Sequence, residues 1–285
     1  MGESARGHYR QPDLRPAWEG VRNVPARPGK LTIIIPTKNE EHNIRECIET
    51  ATWADEVIVC DSFSTDRTCE IAAEYTPNVV QHEYVHSAAQ KNWIIPQASC
   101  EWVMILDADE RITPELRAAV EPAINSKQYD GYRICRRTRF LGRPIRHCGW
   151  NRDYPLRLFR RDKGRYENRA VHADVIVDGG VGRINEPLAH HTDRDLGNYF
   201  EKLDRYSSLA AADLFNRGVR FRWWKLLLKP PARFLQMYVW KLGFLDGFHG
   251  FLLCGLSAVG IFARYAKLWE MWQNGSTGEL PAGRR

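Results

Sequence analysis

The stretch Leu31–Glu40, LTIIIPTKNE, decides the fold. A strand that is wet on one face alternates apolar and polar side chains. Here the apolar run is nearly continuous, which marks a strand buried on both faces, as in a parallel sheet covered by helices. The polar turn Lys38–Glu40 is then where that strand passes into a helix. In NEEHNIRECIETATWA, Ile44, Ile48 and Ala51 recur at helical spacing, with Asn39 as the expected cap and Glu40 and Glu41 in the first turn.

The same unit repeats downstream. EVIVCDS (Glu56–Ser62) reads as a strand, STDRTCEIAAEY (Ser64–Tyr75) as a helix capped by Ser64 or Thr65, and NVVQHEY (Asn78–Tyr84) as a strand. SAAQKNWIIPQA supplies a helix and EWVMILDAD a strand, and Thr113 followed by Pro114 starts the next helix in cap-then-proline order. The expected class is α/β, a Rossmann-like, mostly parallel sheet flanked by helices. Beyond about Tyr129 the strands become shorter and more polar, YDGYRICRRTRF and YPLRLFRR, as antiparallel elements are. From Leu196 the chain reads as helical to its end. The expected organisation is an N-terminal arm over 1–30, a catalytic domain over 31–195 divided at 112/113, and a helical, membrane-associating extension over 196–285.

The totals limit the function classes. Of 285 residues, 44% are hydrophobic and 27% charged, which describes a folded chain rather than a disordered one. The net charge of +6 is concentrated with Trp toward the second half and points to an anionic partner. No zinc-finger spacing or recognition-helix pattern supports nucleic acid. Seven Cys without a CxxC pair fit a reducing, cytoplasmic setting. The first twenty residues lack the apolar core of a secretion signal.

Ligands of open α/β sheets bind beyond the carboxyl ends of strands. Three polar clusters fall there: Pro36–Glu40, Asp61–Asp66 and Asp107–Glu110. Two carboxylates one residue apart, Asp107 and Asp109, can hold Mg²⁺ or Mn²⁺ with positions left for phosphate, although the same spacing also occurs in plain solvated turns.

Together, IIIPTKNEEHNI, VIVCDSFSTDRT and WVMILDADE resemble family 2 glycosyltransferases of the GT-A fold, which transfer a sugar from a nucleotide diphosphate with inversion. The resemblance implies that Pro36, Thr37, Asn39 and Glu40 border the nucleotide and that Asp61 and Ser64 contact base and ribose. It places Gln90, Lys91 and Asn92 on a helix beside donor and phosphates, gives Asp107 the ribose, and gives Asp109 the metal-diphosphate role. It also implies Mn²⁺ or Mg²⁺ as cofactor and UDP-glucose as donor.

The segment from Arg165 to Ala211, with GFLDGFHGF and YAKLWE further on, resembles the lipopolysaccharide-core glucosyltransferase branch of that family. The branch usually carries Val-His-Glu at the acceptor base. This chain has Val171, His172, Ala173 and Asp174, so the base is left among Asp174, Glu167 and His172, in that order. His190 matches a C-terminal metal-binding histidine, with His191 as the fallback. The acceptor expected is a glycolipid or lipopolysaccharide-type molecule.

RFRWWKLLLKPPARF and FHGFLLCGLSAVGIFARYAKLW place Trp and basic residues beside apolar helical runs. The run Phe248–Phe262 is shorter than a secure span. Peripheral or monotopic attachment at the cytoplasmic face of the membrane is therefore expected. A sugar nucleotidyltransferase would need an early Gly-rich basic loop, which LTIIIPTKNEEHN lacks. A receiver-like domain does not account for the basic, aromatic tail. A degenerate transferase kept as a membrane scaffold is the alternative that the Ala173 substitution favours.

Overall fold

The computed structural model describes residues 27–150, 153–167, 174–193 and 195–274. Its chain order begins β1 (Arg27–Thr37), α1 (Ile44–Glu49), β2 (Glu56–Asp61), α2 (Thr68–Ala73), β3 (Val79–Gln81), α3 (Ser87–Ile94) and β4 (Cys100–Ile105). There follow β5 (Glu110–Ile112), α4 (Pro114–Asn125), β6 (Gly131–Phe140), β7 (Arg143–Pro144), β8 (Leu156–Arg160), β9 (Gly164–Tyr166), β10 (Val175–Val177) and β11 (Val181–Asp193). The helices α5 (Leu196–Asn216), α6 (Trp223–Leu235) and α7 (Gly247–Gln273) complete it.

The main sheet runs β3-β2-β1-β4-β8-β6-β11-β5, with β7 paired to β6, and β9 and β10 form a separate antiparallel ribbon. β1 pairs in parallel with β2 and β4, and β2 with β3. β8 is antiparallel to β4 and to β6. The mixed α/β class is the one expected. Alternation along β1 explains its apolar run: Ile33 and Ile35 pack with Ile44, Ile48, Ile71, Leu116 and Val120, while Ile34 packs on the opposite face with Ala88, Ile94 and Ile105. Thr113 caps α4 as expected, its hydroxyl accepting the Leu116 N–H at 3.2 Å.

Two expected caps are corrected. The first helix begins at Ile44, not at Asn39. Asn39 stands at φ +53, a left-handed conformation that asparagine tolerates, and its amide oxygen accepts the Thr65 N–H at 2.8 Å. The second begins at Thr68 after Arg67, not at Ser64 or Thr65. There Asp66 Oδ1 accepts the Thr68 N–H at 3.0 Å, while the Ser64 hydroxyl turns back to Asp61.

The chain forms two compact units, neither contiguous in sequence. One runs to Cys135 and resumes over Tyr154–Ala189; the other comprises Arg136–Asp153 and the chain from His190. In the second, Phe140, Ile145 and Cys148 of the hairpin share a core with Met237, Leu253 and Cys254. Asp246 accepts the backbone N–H groups of Arg146 at 3.1 Å and His147 at 2.8 Å. Lys267 of α7 is held by α5, at 2.8 Å from the Asp204 carboxylate and 2.7 Å from its carbonyl. α6 contains no buried residue.

Candidate active site

Register brings the polar clusters to one edge of the first unit. Thr37 lies opposite Asp61 at the ends of β1 and β2, and the Leu106 N–H just past β4 donates to Ile34 at 3.0 Å. The turns after β1, β2 and β4 therefore leave the sheet side by side.

The first two turns are stitched together. The Ser62 N–H donates to the Thr37 carbonyl at 2.9 Å, the Asn39 N–H to Ser64 Oγ at 2.7 Å, and the Glu40 N–H to Thr68 Oγ1 at 2.8 Å. Asp61 is fully buried and accepts from the Ser64 N–H at 2.8 Å and Gln81 Nε2 at 3.1 Å. Pro36 is half-buried at the end of β1, and Glu40 accepts from Asn43 Nδ2 at 2.7 Å.

α3 joins this pair of turns to the third. Gln90, buried, donates to the Cys60 carbonyl at 3.1 Å and to Ser62 Oγ at 2.6 Å. One position on, the buried Lys91 reaches Asp107 Oδ1 at 3.3 Å, with its ammonium 5.1 Å from the centre of the Tyr166 ring. Asn92 uses both ends of its amide on the Tyr166 backbone, at 2.9 and 2.8 Å.

The four residues DADE divide by role. Glu110 is completely buried and accepts the Asp107 N–H at 3.0 Å. Arg157 of β8 places one nitrogen against both carboxylates, 2.6 Å from Glu110 Oε1 and in direct contact with Asp107 Oδ2. Burial alone would raise the Asp107 pKa, but the charges of Arg157 and Lys91 outweigh it and hold this carboxyl well below the usual carboxylate range. Burial likewise opposes the charge on Lys91, yet Asp107 keeps its pKa raised. Asp109 lies half-exposed in the same turn. Sequence reasoning missed Arg157, whose signal was a cation inside the apolar run Leu156–Phe159.

Among the described residues, no group of three His, Cys, Asp or Glu could hold a metal ion unaided. The donor chemistry at this edge fits a shared ion, because the Asp109 carboxylate is a hard oxygen ligand in a half-exposed turn. His190 and His191 lie half-buried on β11, in the second unit. Of the candidate bases, His172 falls outside the described residues. Glu167 is half-buried and directly follows Tyr166, and its N–H donates to the carbonyl of the exposed Asp174 at 2.9 Å.

A parallel sheet edge carrying nested polar turns and a charged cluster lies where open α/β folds bind their ligands. Residues 32–177 match the family described as Glycosyl transferase family 2. The lipopolysaccharide core biosynthesis glycosyltransferase LpsC of Rhizobium meliloti (strain 1021) is 30% identical over 251 residues, covering 83% of this chain and 93% of that protein. The uncharacterized glycosyltransferase RT0209 of Rickettsia typhi is 28% identical, covering 85% and 87%. Among solved structures, S. aureus TarS 1-349 aligns with a TM-score of 0.43 at 15% identity, covering 87% of this chain and 92% of that one. Glucosyl-3-phosphoglycerate synthase from Mycobacterium tuberculosis, in complex with Mn²⁺, UDP and phosphoglyceric acid, aligns with a TM-score of 0.43 at 16% identity, covering 60% and 73%. The chain belongs to glycosyl transferase family 2 and is a glycosyltransferase.

Proposed function

We propose that the protein moves a hexose, glucose in the first instance, from a UDP-sugar to a lipopolysaccharide-core-type or related membrane glycolipid, with inversion at the anomeric carbon. The observation that carries this reading is the Lys91–Asp107–Arg157–Glu110 cluster at the sheet edge. It keeps Asp107 ionised, so that its carboxylate can accept the hydroxyls of a ribose once a donor enters. The core-biosynthesis role in the name of the Rhizobium relative supports the acceptor class.

Asp109 is the residue that would hold Mn²⁺ or Mg²⁺ together with the donor's diphosphate. A divalent ion bound there supplies neutralisation of the negative charge that grows as the glycosidic bond breaks. Lys91 stands beside Asp107 and adds a fixed positive charge on the same side. Asp174 or Glu167, at the Tyr166–Val175 end of the β9–β10 ribbon, takes the proton of the attacking hydroxyl.

The test is transfer of labelled hexose from UDP-glucose and other UDP-sugars to lipid extract, with and without Mn²⁺. Asp109→Asn is expected to lower kcat by roughly 10²-fold or more. Asp174→Asn and Glu167→Gln identify the base by the larger loss, about 10²-fold or more. Near-normal turnover in both would remove the two carboxylates from that role. Absence of transfer from every nucleotide sugar would favour the degenerate-scaffold reading, to which Ala173 points.

A further inference from the structure

We propose that α6 and the turn after it, Trp223–Phe248, form an interfacial anchor that seats on an anionic bilayer without crossing it. This deepens the membrane-acceptor reading above, and its test reads vesicles rather than sugar transfer, so the two can fail separately.

Three observations carry it. First, α6 has no buried residue although it is rich in Trp and Leu. At 3.6 residues per turn, Trp223, Trp224, Leu227, Leu228 and Leu235 fall on one stripe and Lys225, Lys229 and Arg233 on another. Second, the apolar stripe continues past the helix: Trp240 is 77% exposed, Phe248 71%, and Leu242, Phe244 and Leu245 are also exposed. A patch of this kind rimmed by charge marks an interaction surface. Third, between Asp213 and Asp246 there is no acidic residue, while Arg217, Arg220, Arg222, Lys225, Lys229, Arg233 and Lys241 are all basic.

The charge pattern selects the occupant. A second copy of the chain would bring this basic segment against itself in a two-fold interface. An anionic leaflet complements it, attracting each nearby Lys or Arg. Trp at the headgroup level and Lys stems lying along apolar surface are the usual furniture of such a face.

Depth is limited by the backbone. Pro230 and Pro231 lie inside α6 and leave carbonyls one turn earlier without their helical donors. Water satisfies these at an interface, whereas hydrocarbon would not. By length and composition, Gly243–Gln273 is long and apolar enough to cross a membrane. Its uncharged part from Gly247 to Ala263, however, spans only about 25 Å at helical rise, short of the ~30 Å hydrocarbon layer. Beyond it Lys267 is tied to Asp204, Ser207 and Ser208 of α5. On this proposal α7 lies along the surface as the anchor's support, held to α5 through Lys267.

The full chain is floated with vesicles of phosphatidylcholine alone or with about one-third phosphatidylglycerol, and then extracted with alkaline carbonate. Binding to the anionic vesicles is expected to be at least about tenfold tighter, weakened by salt and released by carbonate. Trp240→Ser with Phe248→Ser is expected to cut binding about tenfold while UDP binding by calorimetry is unchanged. Lys225→Gln with Lys229→Gln and Arg233→Gln is expected to remove about tenfold of the anionic preference. Equal binding to both vesicles, no binding to either, retention after carbonate, or wild-type binding by both variants would overturn the proposal. So would a dimer in light scattering that the Trp240→Ser, Phe248→Ser variant dissociates.

Discussion

Arg157 is a guanidinium enclosed beneath the strand ends, with two carboxylates on one of its nitrogens. Removing it leaves Glu110 charged and wholly buried, and loss of one partner from a buried pair typically costs about 3–5 kcal/mol. Arg157→Met is therefore expected to lower the unfolding free energy by about that amount in urea titration, with Glu110→Gln, Arg157→Met recovering part of it. Asp107 sets a second expectation. Its folded pKa lies below its unfolded value, because Arg157 and Lys91 overcome the opposing effect of burial. The stability it contributes is thus complete at neutral pH and is lost as pH falls below about 4 toward the folded value. Asp107→Asn should flatten the acid limb of a stability-versus-pH curve, and an unchanged limb would contradict the assignment. The chemistry of Asp107 was legible in the sequence as a strand-end acid. Its partner was not read, because an Arg in YPLRLFRR looks like one of several surface cations until the strand is known to be buried on both faces.

At the scale of elements, long-range bonds decide what local propensity leaves open. The parallel strands were readable from their apolar runs, and Thr113–Pro114 announced α4. The starts of α1 and α2 were misread because Asn39 and Ser64, both good capping residues, hydrogen-bond across the two turns instead of into the helices that follow them. The short strand β5 was also unforeseen, since Glu110–Ile112 carries two charged residues whose burial is made tolerable by Arg157 and the Asp107 N–H on Glu110 and by the contacts of Arg111. The β9–β10 ribbon depends on close approach. A Cβ on Gly164 would stand 2.0 Å from Cδ2 of the buried Phe159 ring. Gly164→Ala is therefore expected to destabilise by at least about 1–3 kcal/mol, seen as a lower Tm, and to loosen the ribbon that carries Glu167 and Asp174.

For the whole molecule, the cysteines give a simple check on packing. All seven are free and six are buried, and burial pushes the Cys60 and Cys69 thiols up to about 12. Native protein at pH 8 should react with a thiol reagent at Cys69 at most, whereas denaturant should release all seven. Rapid native labelling of Cys47 or Cys60 would mean that the sheet opens easily. Composition predicted thiols packed as small hydrophobes, but it did not predict that the hairpin 136–153 groups with the C-terminal helices, a pairing made by contacts about a hundred residues apart. On α6 the exposed positions have little packing to protect, whereas Leu226 and Phe234 rest against core clusters. At Trp223, Trp224, Leu227, Leu228 and Leu235, therefore, Phe can replace Trp and Ile can replace Leu with little effect on folding, provided the stripe stays in place. The exposed stripe therefore tolerates changes of sequence that the sheet edge, with Arg157 and Glu110 enclosed in it, does not.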